Sequence, residues 1–271
     1  MCRHRPTPLE SSTRDPFVTP LILSALGWLV ISVATWNILH RVHAENWGED
    51  SPRHWPDEAD RIAAITARLM KRTEQVIALQ EVSGDQLNGL IHALPADRVA
   101  HALRYPRVPR PRHGTSSLQD PSEHLVLVVN GPAHQVAAEA FDDDPGKGLL
   151  AVQTGDTLVV ATHVSSGPRR AGQLARLAEL TTASTHPVVL LGDFNCDSAT
   201  VSAALGPGYT LAVLPPDAPP TRPSGAGIAA QTIDHIIVRG GGTSGAQTED
   251  VGSLSDHNLL RADVLLEGEA R

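Results

Sequence analysis

The stretch Pro187-Val188-Val189-Leu190-Leu191-Gly192-Asp193-Phe194-Asn195-Cys196 decides how this chain is read. Its first half is a continuous apolar run, as expected of a strand buried on both faces. The run stops at a glycine and then presents a carboxylate and a carboxamide two residues apart. Alternation along extended backbone sends residues i and i+2 to one side, so Asp193 and Asn195 are expected to face one substrate together.

Working outward, five other apolar runs carry polar groups of acid/base or metal-ligand type at their ends. Trp28 to Thr35 leads into Trp36-Asn37, and Val76 to Leu79 into Gln80-Glu81. Leu158 to Thr162 ends in His163. Ile233-Asp234-His235 enters a further run, and Ser255-Asp256-His257 precedes Asn258-Leu259-Leu260. Any one of them reads most simply as a turn or cap residue. Six in one chain point to a rigid sheet whose strand ends hold a catalytic constellation.

In this order, the motifs Trp36-Asn37, Gln80-Glu81-Val82, Thr162-His163, Gly192-Asp193-Phe194-Asn195, Ile233-Asp234-His235 and Ser255-Asp256-His257 resemble the endonuclease/exonuclease/phosphatase superfamily of DNase I-like phosphoesterases. The resemblance runs from about residue 29 to the C-terminus. It implies an α/β four-layer sandwich: two packed, mainly antiparallel sheets flanked by helices. It also implies a divalent-metal-dependent phosphoesterase using Mg²⁺, with Mn²⁺ as a substitute. Asn37 and Glu81 would hold the principal metal, with Asp256 as a further carboxylate. Asp193 would orient or deprotonate the attacking water, and Asn195 would position that water or a phosphoryl oxygen. His163 and His257 would donate to phosphoryl oxygens as charge builds up, and Asp234 would fix the His257 imidazole.

Composition narrows the substrate. The chain has 271 residues with 22 basic and 30 acidic side chains, a net charge of -8, and 3% aromatic residues. Acidic proteins are not drawn non-specifically to polyanions, and single-strand binding by stacking needs aromatic platforms. A small phosphorylated substrate is therefore favoured. An endo- or exonuclease is the alternative, and a silent binding protein or a derived elimination or cyclisation chemistry is more remote. Arg104, Arg107, Arg110 and Arg112, in a Pro-rich segment (98–121) read as a mobile loop, together with Arg169, are the candidate anion contacts. Two cysteines, Cys2 and Cys196, make a disulfide framework or thiolate zinc site improbable; Cys196 reads as a packing residue. No stable protein partner is implied.

Organisation is expected to be an N-terminal tail or weak signal/anchor segment (1–27) followed by one catalytic domain (28–271). Pro16 to Leu39 lacks any charged residue, which leaves membrane association or export open. Its second half leads directly into Asn37, so 28–36 reads as the first core strand and a cytoplasmic location is preferred. Helices are expected around Ile62, Ile65 and Leu69, with Pro56 in the first turn, around Leu87, Leu90, Ile91 and Leu94, and after Pro168 around Leu174, Leu177 and Leu180. His40 and His43 have helical metal-pair spacing but no accompanying ligand motif, and read as structural. His235 should face away from the site. Lys147-Gly148 before a strand is a further familiar feature of the superfamily.

Overall fold

In a computed structural model of the chain, Met1 and residues 28–267 are described; the 1–27 segment, save Met1, lies outside the described residues. Strand β1 (Trp28–Asn37) is followed by helices α1 (Arg41–Trp47), α2 (Ser51–His54) and α3 (Glu58–Met70). Then come β2 (Val76–Ser83), α4 (Gly84–Ala93), β3 (Arg98–Arg104), β4 (Glu123–Asn130), β5 (His134–Phe141), β6 (Asp144–Thr154) and β7 (Thr157–His163). The chain continues with α5 (Arg170–Ala183), β8 (Val188–Asp193), α6 (Ser198–Leu205), β9 (Tyr209–Leu211), β10 (Asp234–Arg239), β11 (Gly241–Glu249) and β12 (Leu259–Glu267).

The strands form two six-stranded mixed sheets, ordered β11-β12-β1-β2-β4-β3 and β5-β6-β7-β8-β10-β9. Only β1–β2 and β7–β8 run parallel; the other neighbours are antiparallel. Side-chain alternation explains the layering. Val33, Ala78, Leu127, Val159, Val189, Leu191 and Ile236 fill the space between the sheets. The intervening residues face outward. Ala34, Ile77, Leu79 and Val126 pack on Ile65 and Leu69 of α3 and Leu90 of α4, and Leu149, Val160, Val188 and Leu190 pack on Leu174 and Leu177 of α5 and Val201 of α6. The result is the four-layer sandwich expected from sequence. No helix among the described residues is long and apolar enough to cross a membrane.

Three local expectations are corrected. Arg98–Arg104 is an edge strand paired residue by residue with β4, so the loop begins only after Arg104; the half-buried alternation of this strand is masked in sequence by interspersed arginine and histidine. Pro56 lies outside α3, because the Asp57 carboxylate accepts the Ala59 N–H and makes Asp57 the N-cap. On α4, Leu90 is buried but Ile91 is exposed.

Candidate active site

The inter-sheet parity carries forward to the strand ends. Asn37 continues the inward series of Val33, His163 that of Val159 and Ala161, Asp193 that of Val189 and Leu191, and Asp234 that of Ile236. All four emerge at one end of the sandwich, where a cleft of about 770 Å³ is lined in part by Glu81, Lys147, His163, Asp193, Asn195, Asp256 and His257.

Glu81 arrives differently. On parity Gln80 points inward, and its amide exchanges hydrogen bonds with the Thr35 hydroxyl (3.1 and 3.3 Å). The β2–β4 register breaks between Leu79 and Val82, and Glu81 takes φ +57° inside that bulge. An extra residue in a strand re-aims a side chain, and here it turns Glu81 into the cleft. Of four non-glycine residues with positive φ among the described residues, three (Leu39, Glu81 and Asn195) lie in or beside the site, a concentration typical of functional regions.

Gly192 has an equally concrete reason. A Cβ there would stand 2.0 Å from the Thr162 carbonyl oxygen, so only glycine lets β8 approach β7 closely enough to set Asp193 beside His163. Asn195 reaches the cleft by a turn rather than by the expected strand alternation. Strand β8 ends at Asp193, whose Oδ1 accepts the Asn195 N–H at 2.9 Å. The Asn195 carboxamide then donates to the Val164 carbonyl, and its own backbone carbonyl accepts from Arg170 at 2.6 Å.

Asp193 Oδ2 is the hub. It accepts from the Asn37 Nδ2 at 3.2 Å and lies 3.3 Å from His163 Nε2 and 3.9 Å from His257 Nε2. Burial opposes its ionisation, but His163, His257 and Lys147 outweigh burial and hold the carboxyl well below the usual range. Glu81 is likewise kept ionised by His43, Lys147 and His163 against its burial. Lys147 sits with its ammonium against the His163 ring, 3.1 Å from Nδ1.

His257 Nδ1 is 2.9 Å from Asp234 Oδ2, the carboxylate–imidazole pairing expected from the motifs. Burial lowers the His257 pKa, but Asp234, Asp256 and Asp193 overcome it, leaving it pushed up to about 10. The loops are tied to one another. Ser255 Oγ donates to the Asn37 carbonyl (2.6 Å) and accepts the His257 N–H (3.1 Å). Buried Arg61, clasped by Glu58, donates to the carbonyls of Ile38, Leu39 and Leu254. One guanidinium thus fixes the segment after Asn37 against the turn before His257.

The remaining sequence candidates divide. Arg107 lines the cleft and pairs with Asp144 at 2.8 Å, and Arg169 lines it 3.5 Å from the same carboxylate. Arg104 is at the exposed end of β3, outside the cleft lining. Arg110 and Arg112 serve as loop anchors: the Arg110 carbonyl accepts from Asn46, and Arg112 donates to the Asn46 carbonyl and lies 4.3 Å over the Trp47 ring. None of the three lines the cleft, although Arg110 borders an adjoining hollow with His43, Asn46 and Arg107. Asp256 borders the cleft but pairs with Arg222 at 3.0 Å, leaving Oδ1 buried without a partner. His235 turns away to the Cys196 carbonyl, and Cys196 is buried.

His40 is structural: its Nδ1 accepts the Val42 N–H, and burial drives its pKa down to about 4. His43 is not. It faces Glu123 across 3.3 Å and lines the cleft. His43, Arg222 and Asp144 line the cleft and Glu123 lies behind His43; motif reading did not place them in the site, because each converges only through tertiary packing, while Lys147 was legible as a motif without a role.

Donor chemistry suits a divalent cation. Asn37 Oδ1 accepts a single bond, from Leu39 N–H at 3.0 Å, and an amide oxygen has a second lone pair. Glu81 Oε2 accepts the His40 N–H at 3.3 Å, with Oε1 toward His163 across 3.9 Å. These hard oxygens suit such an ion, and Asp256 borders the same cleft.

A family model for the Endonuclease/Exonuclease/phosphatase family matches residues 34–257, spanning all of these motifs. The chain belongs to that family. Its members are phosphoester hydrolases, and the chain is accordingly an enzyme of that class. Similar solved structures of this family's fold include ANGEL2, a 2',3'-cyclic phosphatase in complex with adenosine-2',3'-vanadate, at 16% identity and TM-score 0.63, covering 89% of this chain and 97% of that one. Truncated Caenorhabditis elegans TDP2 matches at 15% identity and TM-score 0.62 (87% and 97% covered). An endonuclease/exonuclease/phosphatase family protein from Bacteroides thetaiotaomicron matches at 16% and 0.60 (89% and 97%). No curated protein matches the sequence.

Proposed function

We propose that the chain is a Mg²⁺-dependent phosphoesterase acting on a small phosphorylated molecule. The observation that carries this reading is the pair Arg107 and Arg169, converging on Asp144 at the wall of the cleft that holds Asp193 and His257. Two guanidiniums sharing one carboxylate keep a net positive charge, enough for a compact second anion. The cleft volume of about 770 Å³ falls in the range of roughly 300–1,000 Å³ usual for small-ligand sites.

The geometry supports the following roles. A divalent ion held by Asn37 and Glu81 would neutralise phosphoryl oxygens and supply Lewis-acid activation. Asp193, kept ionised, accepts a hydrogen bond from the attacking water and orients it, taking up its proton as the bond to phosphorus forms. Its two oxygens are fixed by Asn37, Asn195 and His163, so it loses little freedom in doing so. His257, held cationic by Asp234, donates to a phosphoryl oxygen as negative charge grows there. His163, backed by Lys147, offers a second donor. Arg107 and Arg169 orient the remainder of the substrate.

A nucleolytic reading rests on Trp47, which is 63% exposed at the cleft edge with Arg112 over its ring, a surface on which a base could stack. Inorganic phosphate release from a panel of small phosphomonoesters, run beside plasmid and single-stranded DNA cleavage with Mg²⁺ and with chelator, separates the two. Chelator-sensitive phosphate release with intact DNA is expected. Cut DNA with no phosphate release would replace the proposal with the nucleolytic reading.

A further inference from the structure

In the cleft lining and directly behind it, three metal-ligand groups meet that the phosphoesterase reading does not use together. His43, Glu81 and Glu123 each present one donor atom, and these atoms lie within 4.8 Å of one another. They come from independent elements. His43 stands on α1, whose N-cap is His40 and whose buried Arg41 is tied to Glu58 and the Trp55 carbonyl. Glu81 is delivered by the β2 bulge. Glu123 opens β4, paired with Ser83 and with its carbonyl taken by the Tyr105 N–H.

Glu123 is the unexplained group. It is 0% exposed; Oε1 has no hydrogen-bond partner, and Oε2 is faced only by the His43 imidazole. A buried carboxylate without donors is costly, and such groups are normally paired or bound to a metal. His43 Nε2 is the nearest cationic group, 3.3 Å from Oε2. It faces two carboxylates at once, so even a protonated imidazole leaves the trio one negative charge in excess. The Tyr105 hydroxyl beside β4 is also buried and unpartnered. Lys147, the other nearby cation, acts on both carboxylates through its field, but its ammonium lies against the His163 ring and donates to neither of them.

We propose that His43, Glu81 and Glu123 bind a transition-metal dication, with Glu81 shared between this position and the Asn37 position. One imidazole nitrogen with two carboxylates is a mixed donor set that suits Mn²⁺, Fe²⁺ or Zn²⁺ better than Mg²⁺, which prefers oxygen ligands and retained water. Entry is open, because His43 and Glu81 line the cleft while Glu123 lies below them. The proposal goes beyond the phosphoesterase reading and does not require it, since its test reads metal binding and not turnover.

The test titrates Mn²⁺ into the metal-free full-length chain in excess Mg²⁺, counting bound Mn²⁺ by electron paramagnetic resonance and seeking nitrogen coupling in the pulsed spectrum. Wild type should bind Mn²⁺ with a histidine-nitrogen coupling. Glu123→Gln should weaken that binding at least tenfold, and His43→Gln should abolish the coupling. Should Glu123→Gln fail to fold, His43→Gln decides alone, because His43 is partly exposed and glutamine is tolerated on a helix surface. Unchanged Mn²⁺ affinity and coupling in His43→Gln, or no nitrogen-coupled Mn²⁺ in wild type, overturns the proposal and leaves His43–Glu123 a structural ion pair.

Discussion

The two sheets are built on the same plan and end in different chemistry. Read along each sheet, β11, β12, β1, β2, β4 and β3 correspond to β5, β6, β7, β8, β10 and β9, with the parallel pair in the same place. The site residues correspond as well: Asn37 with His163, Glu81 with Asp193, and Glu123 with Asp234. Each of these last two carboxylates meets an imidazole, Glu123 that of His43 on α1 at 3.3 Å and Asp234 that of His257, from the turn before β12 of the first sheet, at 2.9 Å. One difference separates them. In the second sheet His163 pairs directly with Asp193, whereas in the first Asn37 pairs with Gln80 and a bulge carries Glu81 out of register. A regular ladder places an imidazole against a carboxylate, as proton transfer and hydrogen-bond donation require. The bulged one collects oxygen donors around a space, as a cation requires. One residue of register separates the two strand ends.

The largest effect is expected where the turn before β12 of the first sheet brings His257 onto Asp234 of β10 in the second. His257→Ala should cut turnover by about 10³-fold or more, the scale of losing a positioned donor and acid–base group. The metal-induced rise in melting temperature should survive it. Wild-type-like turnover would remove His257 from the reaction.

Arg61→Ala should destabilise the fold by about 2–4 kcal/mol, because it leaves the buried Glu58 carboxylate only its longer contact with Arg41 and frees the carbonyls of Ile38, Leu39 and Leu254 that tie the loop after β1 to the turn before β12. Urea unfolding checks this, and a loss under about 1 kcal/mol would contradict the tether.

Asp234→Asn probes pH. The folded His257 pKa is raised from 6.5 to about 10, so its contribution to stability is complete below about 6.5 and is lost as pH rises toward 10. Metal-free wild type should therefore lose more melting temperature than Asp234→Asn across that window. Parallel pH profiles in the two proteins would show that Asp234 does not hold the charge.

The smallest effect is at the substrate wall. Arg107→Ala should raise KM roughly tenfold with kcat little changed, as for a contact made equally in ground and transition states. A fall in kcat at constant KM would move Arg107 into the chemistry.

Much of this was legible in sequence because the catalytic groups sit at the ends of apolar runs, where a local pattern reports a global position. Gly192-Asp193, Thr162-His163 and the run entering Asn37 are of that kind, and so is the layered core they imply. Glu81 was found at a strand end, but nothing local announces that β2 continues through a bulge to Ser83. The Asp193–Asn195 pair was expected from alternation and is made by a turn at positive φ. Arg104, Arg110 and Arg112 looked like anion contacts because charge is visible in sequence and direction is not; the edge pairing of β3 and the anchoring to Asn46 and Trp47 are tertiary. His43 and Glu123, 80 residues apart in the chain, meet only when α1 folds over the start of β4.

The most direct test of the division between the sheets is to measure Mg²⁺-induced thermal stabilisation and phosphate release side by side in wild type, Glu81→Gln and Asp193→Asn. Glu81→Gln should lose both, while Asp193→Asn should keep the stabilisation and lose the release. Stabilisation that survives in Glu81→Gln and vanishes in Asp193→Asn would contradict the account.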